Sequence, residues 1–133
     1  MDLKEEQAPL VGVYSGLRAI QSEWVFIVSC DVPFLNQKVV ELLFEKTKGY
    51  DAAVPVWPNG LLEPLHAVYS VKPSLRAASI AVKNGRFKNI VILKDLQVNY
   101  IPIDFFKSVD STFLSFLNVN TQDEYQEALK LID

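Results

Sequence analysis

The stretch that decides the fold is "WVFIVSCDVPFL", which runs from Trp24 to Leu35. Large apolar residues are followed by two small ones and then by Asp31. The apolar run lacks the polar alternation of a half-exposed strand, and this predicts a strand buried on both faces of a parallel sheet. Because an unpaired buried carboxylate is costly, we expect Asp31 to be paired, metal-bound or at a solvated strand end.

Composition narrows the function. The chain has 133 residues, 16 acidic and 13 basic side chains, and a formal net charge of -3, which suits one domain over residues 1–133. The sequence has no stripe of basic residues that would indicate binding to nucleic acid. It also has no apolar run long enough to span a membrane. The start, "MDLKEEQ", does not resemble a secretory signal. Cys30 has no partner cysteine and fits a small core residue, so we expect a cytoplasmic protein.

Helical and strand patterns alternate along the chain. Helices are predicted over 9–21, 37–49, 72–85 and 121–132, with a short helix over 86–95, and strands over 24–28, 51–57, 61–71 and 97–103. This order predicts an α/β sandwich around a mostly parallel sheet. Pro64 inside the third predicted strand indicates a sheet edge or a bulge. Gly12 and Gly16 lie one helical turn apart, where they would allow a close backbone approach.

Asp31 is the first candidate site residue. Ligands of open α/β sheets bind outside the carboxyl ends of the strands, and Asp31 follows such an end. Ser29 and Cys30 before it are small and leave room for a ligand. Mg²⁺ commonly takes one or two protein carboxylates beside substrate phosphates. A plain turn or cap aspartate explains the pattern equally well.

Two further polar positions are candidates. In "NVNT", Asn118 and Asn120 flank one valine, so on a strand they would face the same side and hold a metal ion or a ribose. Turn chemistry before a helix is the more common explanation. His66, the sole histidine, lies in an apolar strand and is more often structural than catalytic. Glu63 would face away from it on a regular strand.

Four segments occur together in order: "APLVGVYSGL", "VSCDVPFL", "EPLHAVYS" and "LNVNTQDEY". Together they resemble the molybdenum cofactor guanylyltransferase family, within the nucleotidyltransferases that have a Rossmann-like sheet. The resemblance covers essentially the entire chain. It implies transfer of GMP from GTP to the molybdopterin form of the molybdenum cofactor, with release of pyrophosphate and a requirement for Mg²⁺.

The resemblance also implies roles for single residues. Asp31 matches the catalytic, magnesium-binding aspartate that contacts the nucleotide. Asp2 and Gly12 match nucleotide-contacting positions, although Ala8 replaces the first glycine of that segment. The expected substrate-binding residues are Asn118, Asn120 and His66, and Asn120 is also an expected metal ligand.

One feature of the family is missing from the sequence. Family members begin with a strand and a Gly-rich phosphate loop that carries a catalytic basic residue. We therefore expect an N-terminally shortened member that lacks the first strand and this loop. The open edge of strand 24–28 would then favour self-association. Two alternatives stay open: a cytidylyltransferase or other nucleotidyltransferase of the same fold, and a non-catalytic remnant that binds the cofactor.

We predict that these 133 residues alone transfer GMP weakly or not at all. Phosphoryl-type transfer depends on positioning and charge neutralisation, and losing one such donor costs ~10²–10³ in rate. The measurement is pyrophosphate release by the purified chain supplied with GTP, Mg²⁺ and molybdopterin. Readily measurable GMP transfer would contradict this expectation.

Overall fold

The computed structural model describes residues 9–29, 32, 34–117 and 122–130. The helices are α1 (Pro9–Ala19), α2 (Gln37–Glu45), α3 (Val71–Lys83) and α4 (Gln122–Leu129). The strands are β1 (Trp24–Val28), β2 (Ala52–Val56), β3 (His66–Ser70) and β4 (Val98–Pro102). Short 3₁₀ helices cover Asn89–Asp95, Ile103–Phe106 and Leu114–Phe116. The predicted α/β class is confirmed, and so is the short helix within 86–95.

The described strands form one mixed sheet in the order β1-β3-β2-β4. β3 lies between β1 and β2 and is antiparallel to both, whereas β4 is parallel to β2. β1, β2 and β4 therefore run in one direction, but the prediction of a mostly parallel sheet is inexact. The reason is the turn after β2, where Gly60 has a φ of 89° and donates to the Trp57 carbonyl. This turn reverses the chain before β3.

Pro64 does not mark a sheet edge, but it lies where the predicted strand 61–71 is interrupted, after the isolated bridge that pairs Leu62 with Val56. β3 begins only at His66 and has a paired strand on each side. Pro64 precedes it in a turn, where its missing N–H removes no ladder hydrogen bond. Its carbonyl accepts a hydrogen bond from the buried phenol of Tyr69.

β1 is less buried than its sequence suggests. Each of its five residues is only half-buried, because β1 lies at an edge of the described sheet. Its two faces are nevertheless covered: Val25 and Ile27 pack against one core cluster, and Trp24 and Phe26 against the other. The predicted coverage of both faces is confirmed, and full burial of the strand is not.

The sheet separates two apolar clusters. On one face, α1, α3 and the helix Asn89–Asp95 pack against alternate residues of β2 and β3. On the other face, α2 and the chain after β4 pack against Ala53 and Val68. The alternation follows from the two-residue period of side chains along a strand. The result is a layer of helices on each side of the sheet.

β3 continues into α3 without an intervening loop. Ser70 ends the strand and Val71 begins the helix. The Ser70 amide donates to the Asp51 carbonyl at 2.7 Å, and the Val71 amide donates to the Glu23 carbonyl at 2.9 Å. The junction is thus held by the residues that immediately precede β2 and β1.

Asn36 caps α2 as its sequence position predicts. Its Oδ1 accepts from the amides of Lys38 at 2.9 Å and Val39 at 3.3 Å. Its Nδ2 donates to the Val109 carbonyl at 3.0 Å, so the cap also ties the helix to a distant loop.

None of the helices in the described part of the chain has the length and apolar character that a membrane span requires.

Candidate functional site

A cleft of about 410 Å³ opens at the carboxyl end of β1. Its described lining comes from the chain around the end of β1, the segment before β3, the start of the helix Asn89–Asp95, and the segment after β4. The lining residues are Ser29, Val32, Glu63, Pro64, Leu65, His66, Lys88, Asn89, Ile90 and Phe116.

Strand pairing brings the first two of these segments together. Val28, the last residue of β1, pairs with His66, the first residue of β3. The ladder extends one residue further, since the Ser29 amide donates to the Leu65 carbonyl at 3.0 Å. A turn in which the His66 amide donates to the Glu63 carbonyl at 3.2 Å then places Glu63 and His66 on the same cleft. On a regular strand Glu63 would face away from His66, and this turn is the reason that the two residues line the same cleft.

The predicted site residues have different outcomes. His66 lines the cleft, whereas Gly12 is exposed on α1 and is not among the lining residues. The predictions for Asp2, Asp31, Asn118 and Asn120 lie outside the described residues, as does that for Cys30. Two neighbours of Asp31 in the sequence, Ser29 and Val32, both line the cleft, and Phe116 comes two residues before Asn118.

The close backbone approach that Gly12 and Gly16 would allow is not made by any described segment. A Cβ added at either glycine would meet nothing within 4 Å among the described residues outside the helix's own backbone. Both glycines lie on the exposed side of α1, so helical spacing did not correspond to a helix contact. A nucleotide-binding role for Gly12 stays a prediction.

His66 is buried beside two aromatic rings. Its ring centroid lies 5.3 Å from that of Phe26 and 4.4 Å from that of Phe116. Neither ring nitrogen has a hydrogen-bond partner among the described residues. Burial lowers the pKa of His66 from 6.5 to about 4, and the nearby carboxylate of Asp110 opposes part of this shift. The imidazole is therefore neutral at pH 7.

Asp110 holds the aromatic side of the cleft in place. Its buried carboxylate accepts from the Leu114 amide at 3.0 Å, the Ser115 amide at 3.1 Å and the Ser115 hydroxyl at 2.6 Å. These bonds satisfy amides at the start of the helix Leu114–Phe116, in the manner of a helix cap. Phe113 before this helix has a φ of 55°. The bonds thus orient Phe116 against His66.

Glu63 is already engaged on its other side. Its Oε1 accepts from Nε1 of Trp57 at 2.7 Å. The Trp57 ring in turn packs edge-on against Phe113, with 5.6 Å between ring centroids. The segment before β3 and the segment after β4 are thereby joined through one tryptophan.

The fold adds two polar residues that the sequence patterns did not identify. Lys88 is exposed at the cleft, and Oδ1 of Asn89 is buried without a hydrogen-bond partner among the described residues. They follow Gly85, whose position after α3 predicts the end of that helix but says nothing of where the next residues point. The only feature of the sequence that could have indicated them is the group of basic and polar residues in "RFKN".

The family described as the MobA-like NTP transferase domain matches residues 1–94. The chain belongs to this family.

Individual relatives agree with that assignment. A probable molybdenum cofactor guanylyltransferase from Methanosarcina mazei is 35% identical over 130 residues, covering 96% of this chain and 57% of that protein. The crystal structure of molybdopterin-guanine dinucleotide biosynthesis protein A from Archaeoglobus fulgidus superposes with a TM-score of 0.79 at 28% identity. That alignment covers 93% of this chain and 62% of the other.

A more distant structure supports the fold alone. The 2-C-methyl-D-erythritol 4-phosphate cytidylyltransferase of Thermus thermophilus has a TM-score of 0.67 at 18% identity, with 92% of this chain and 69% of that chain covered. The present chain thus spans about 57–62% of the length of the first two relatives.

The described residues alone do not fit a divalent metal ion. No three His, Cys, Asp or Glu side chains among them lie close enough to hold one. Glu63 is the one carboxylate in the described lining of the cleft, and Trp57 already occupies one of its oxygens. A metal ion at this end of a MobA-like domain would need Asp31 or another residue outside the described set.

We predict that His66 makes folding stability depend on pH. Because its pKa is lower in the folded chain, about 4, than in the unfolded chain, its contribution is fully present above about pH 6.5 and is lost as pH falls toward 4. The slope from this group approaches about 1.4 kcal/mol per pH unit within that window. Urea unfolding at a series of pH values measures it.

The control is His66→Leu, which removes the chain's sole histidine while leaving every carboxylate in place. The wild-type curve should fall more steeply than the variant curve between pH 6.5 and 5. Parallel curves over this window would show that His66 does not titrate as its burial requires.

Proposed function

We propose that the protein acts in the transfer of GMP from GTP to the molybdopterin form of the molybdenum cofactor, with release of pyrophosphate, and that residues 1–133 alone carry out this transfer weakly or not at all. In this view residues 1–133 form a single, partial nucleotidyltransferase domain. The supporting observation is the cleft at the carboxyl end of β1, whose lining residues Ser29 and Val32 flank Asp31 in the sequence. Relatives named for this activity share most of the chain.

The cleft has the properties of a small-molecule site. Its volume of about 410 Å³ lies in the range of roughly 300–1,000 Å³ typical of ligand pockets. Its wall combines the buried rings of His66 and Phe116 with polar atoms that lack partners among the described residues. Buried polar groups are normally hydrogen-bonded, and the buried atoms of Asn89 and His66 that lack partners among the described residues belong to residues that line this cleft.

Each candidate residue takes a role that its chemistry permits. Asp31 and Asn120 provide oxygen ligands for Mg²⁺, which when bound neutralises phosphate charge. Asp2 and Gly12 contact the nucleotide, and Asn118 and Asn120 contact the substrate. These roles come from the family resemblance and await the experiment below.

His66 and Lys88 add recognition from the described part of the cleft. A neutral imidazole offers one N–H donor and one acceptor nitrogen, which suits the polar edge of a heterocycle. The exposed ammonium of Lys88 offers a positive charge to a phosphate group. In this proposal His66 binds the ring portion of a substrate, and Lys88 attracts its phosphate.

We predict that Asp31→Asn weakens GTP binding in the presence of Mg²⁺ by roughly tenfold or more, equivalent to about 1.4 kcal/mol. The amide keeps the shape of the side chain but removes the charge that attracts the metal ion. Isothermal titration of GTP into the 133-residue chain, with Mg²⁺ and with a chelator, measures the effect. The chelator should affect the wild type more than the variant.

Asp95→Asn is the matched control, because Asp95 is exposed at the end of the helix Asn89–Asp95 and is not among the described lining residues of the cleft. Equal binding by wild type and Asp31→Asn would remove Asp31 as the metal ligand. Titration of CTP in parallel separates guanylyl from cytidylyl transfer: tighter binding of CTP than of GTP would favour the cytidylyltransferase alternative.

We also propose that the isolated chain associates with itself through β1. In the described sheet β1 is paired with β3 on one side only. The Ser29 amide bonds to the Leu65 carbonyl next to β3, and amides alternate in direction along a strand of an antiparallel ladder. The amides of Trp24, Phe26 and Val28 therefore face the edge of β1 that has no partner strand among the described residues. Unpaired amides on an apolar edge are a template for another strand.

We predict that light scattering finds species larger than a monomer, and that Val28→Pro shifts the population toward the monomer. Proline at position 28 removes one outward donor and leaves the bonds to β3 unchanged. A wild-type chain that stays monomeric across the accessible concentrations would contradict the proposal.

A further inference from the structure

A second concave surface, here called the basic groove, lies between α1 and α3 and encloses about 550 Å³. Four of its lining side chains are cationic: Arg18, Lys72, Arg76 and Lys83. No acidic side chain is among its described lining residues. The lining of the basic groove and that of the cleft beside β1 share no residue.

The helical repeat explains why the cations align. Lys72, Arg76 and Lys83 lie on α3 at spacings of four and seven residues, which places them on one face over roughly 16 Å. The opposite face carries buried residues that pack on the core, including Ala77 and Ala81. Arg18 joins from the last turn of α1, with its guanidinium carbon 5.6 Å from the centre of the Tyr14 ring.

These charges are not neutralised within the described part of the chain. The salt bridge found there joins Lys130 to Glu127 and involves none of the groove cations. Glu23 lies near the start of α3, since its carbonyl accepts from Val71, but its carboxylate does not line the groove. Like charges one turn apart disfavour a helix, so the arrangement costs stability in a chain whose net charge is -3.

The groove also presents apolar surface among its cations. Ile80 keeps 49% of its surface exposed, and the half-buried Tyr14 packs against the core cluster below. An apolar side chain of a partner would cover Ile80 while acidic side chains meet the cations on either side. Exposed large apolar residues beside complementary charge are typical of interaction surfaces.

We propose that the basic groove binds an acidic amphipathic segment of a partner protein. The distribution of charge favours a segment over a small anion, because one phosphate cannot contact cations spread over several helical turns. It also favours protein over nucleic acid, since the net negative charge of the whole chain opposes a long polyanion. The proposal does not depend on the nucleotide chemistry of the cleft.

The test uses the 133-residue chain and a fluorescent helical peptide that carries Glu and Leu on one face, followed by fluorescence anisotropy. We expect saturable binding that Lys72→Glu with Arg76→Glu weakens by roughly tenfold or more, and that added salt also weakens. Circular dichroism and thermal unfolding establish that the variant keeps its fold.

The matched control is Lys38→Glu with Lys48→Glu, two exposed lysines outside the groove, which changes the net charge equally. Peptide binding that stays within about twofold of wild type in this control supports a local site. Equal loss in the two double variants, absence of saturable binding, full displacement of the peptide by inorganic phosphate, or tighter binding of a single-stranded oligonucleotide would each overturn the proposal.

Discussion

Pairing of β3 with both β1 and β2 is the constraint on which the cleft depends. Because β3 runs against its neighbours, its first residue lies beside the last residue of β1. His66 therefore reaches the carboxyl end of β1, where an all-parallel sheet would place only the end of another strand. The turn from Glu63 to His66 then forms part of the cleft wall instead of a remote loop.

Two buried groups of opposite chemistry stabilise that wall. The carboxylate oxygens of Asp110 accept hydrogen bonds from amides and a hydroxyl. These bonds offset much of the free energy that is lost when the carboxylate leaves water. His66 has no such partners among the described residues and meets the low-polarity surroundings by staying neutral. Phe116 contacts the imidazole and belongs to the helix that Asp110 caps, which couples the two environments through one ring.

Local features were predictable from the sequence, and features that depend on strand direction were not. The cap at Asn36 and the positions of β2 and β4 follow from short-range chemistry that any window of the sequence displays. The reversal at Gly60 was visible as a turn, but a turn does not state which strand the returning chain will pair with. For that reason the prediction of a mostly parallel sheet was inexact at β3, and the prediction of a sheet edge at Pro64 did not hold.

The candidate site shows the same division. A strand ending in a charged residue pointed to the region around Asp31, and residues on either side of it line the cleft. Lys88 and Asn89 could not be found in this way, because the whole of α3 separates them from β3 in the sequence. Only the packing of α3 on the sheet brings them back to the first residues of β3. Gly12 shows the converse, since a helical spacing typical of close packing lies on an exposed surface.

The direct passage from β3 into α3 also bears on how the family can vary. Ser70 and Val71 are each held by a main-chain bond to a different segment, and no spare residue separates strand from helix. An inserted residue there would rotate the helix by about 100° relative to the sheet and move its buried face into solvent. Length changes during evolution should therefore accumulate at the turn near Gly60, leaving this junction invariant in length.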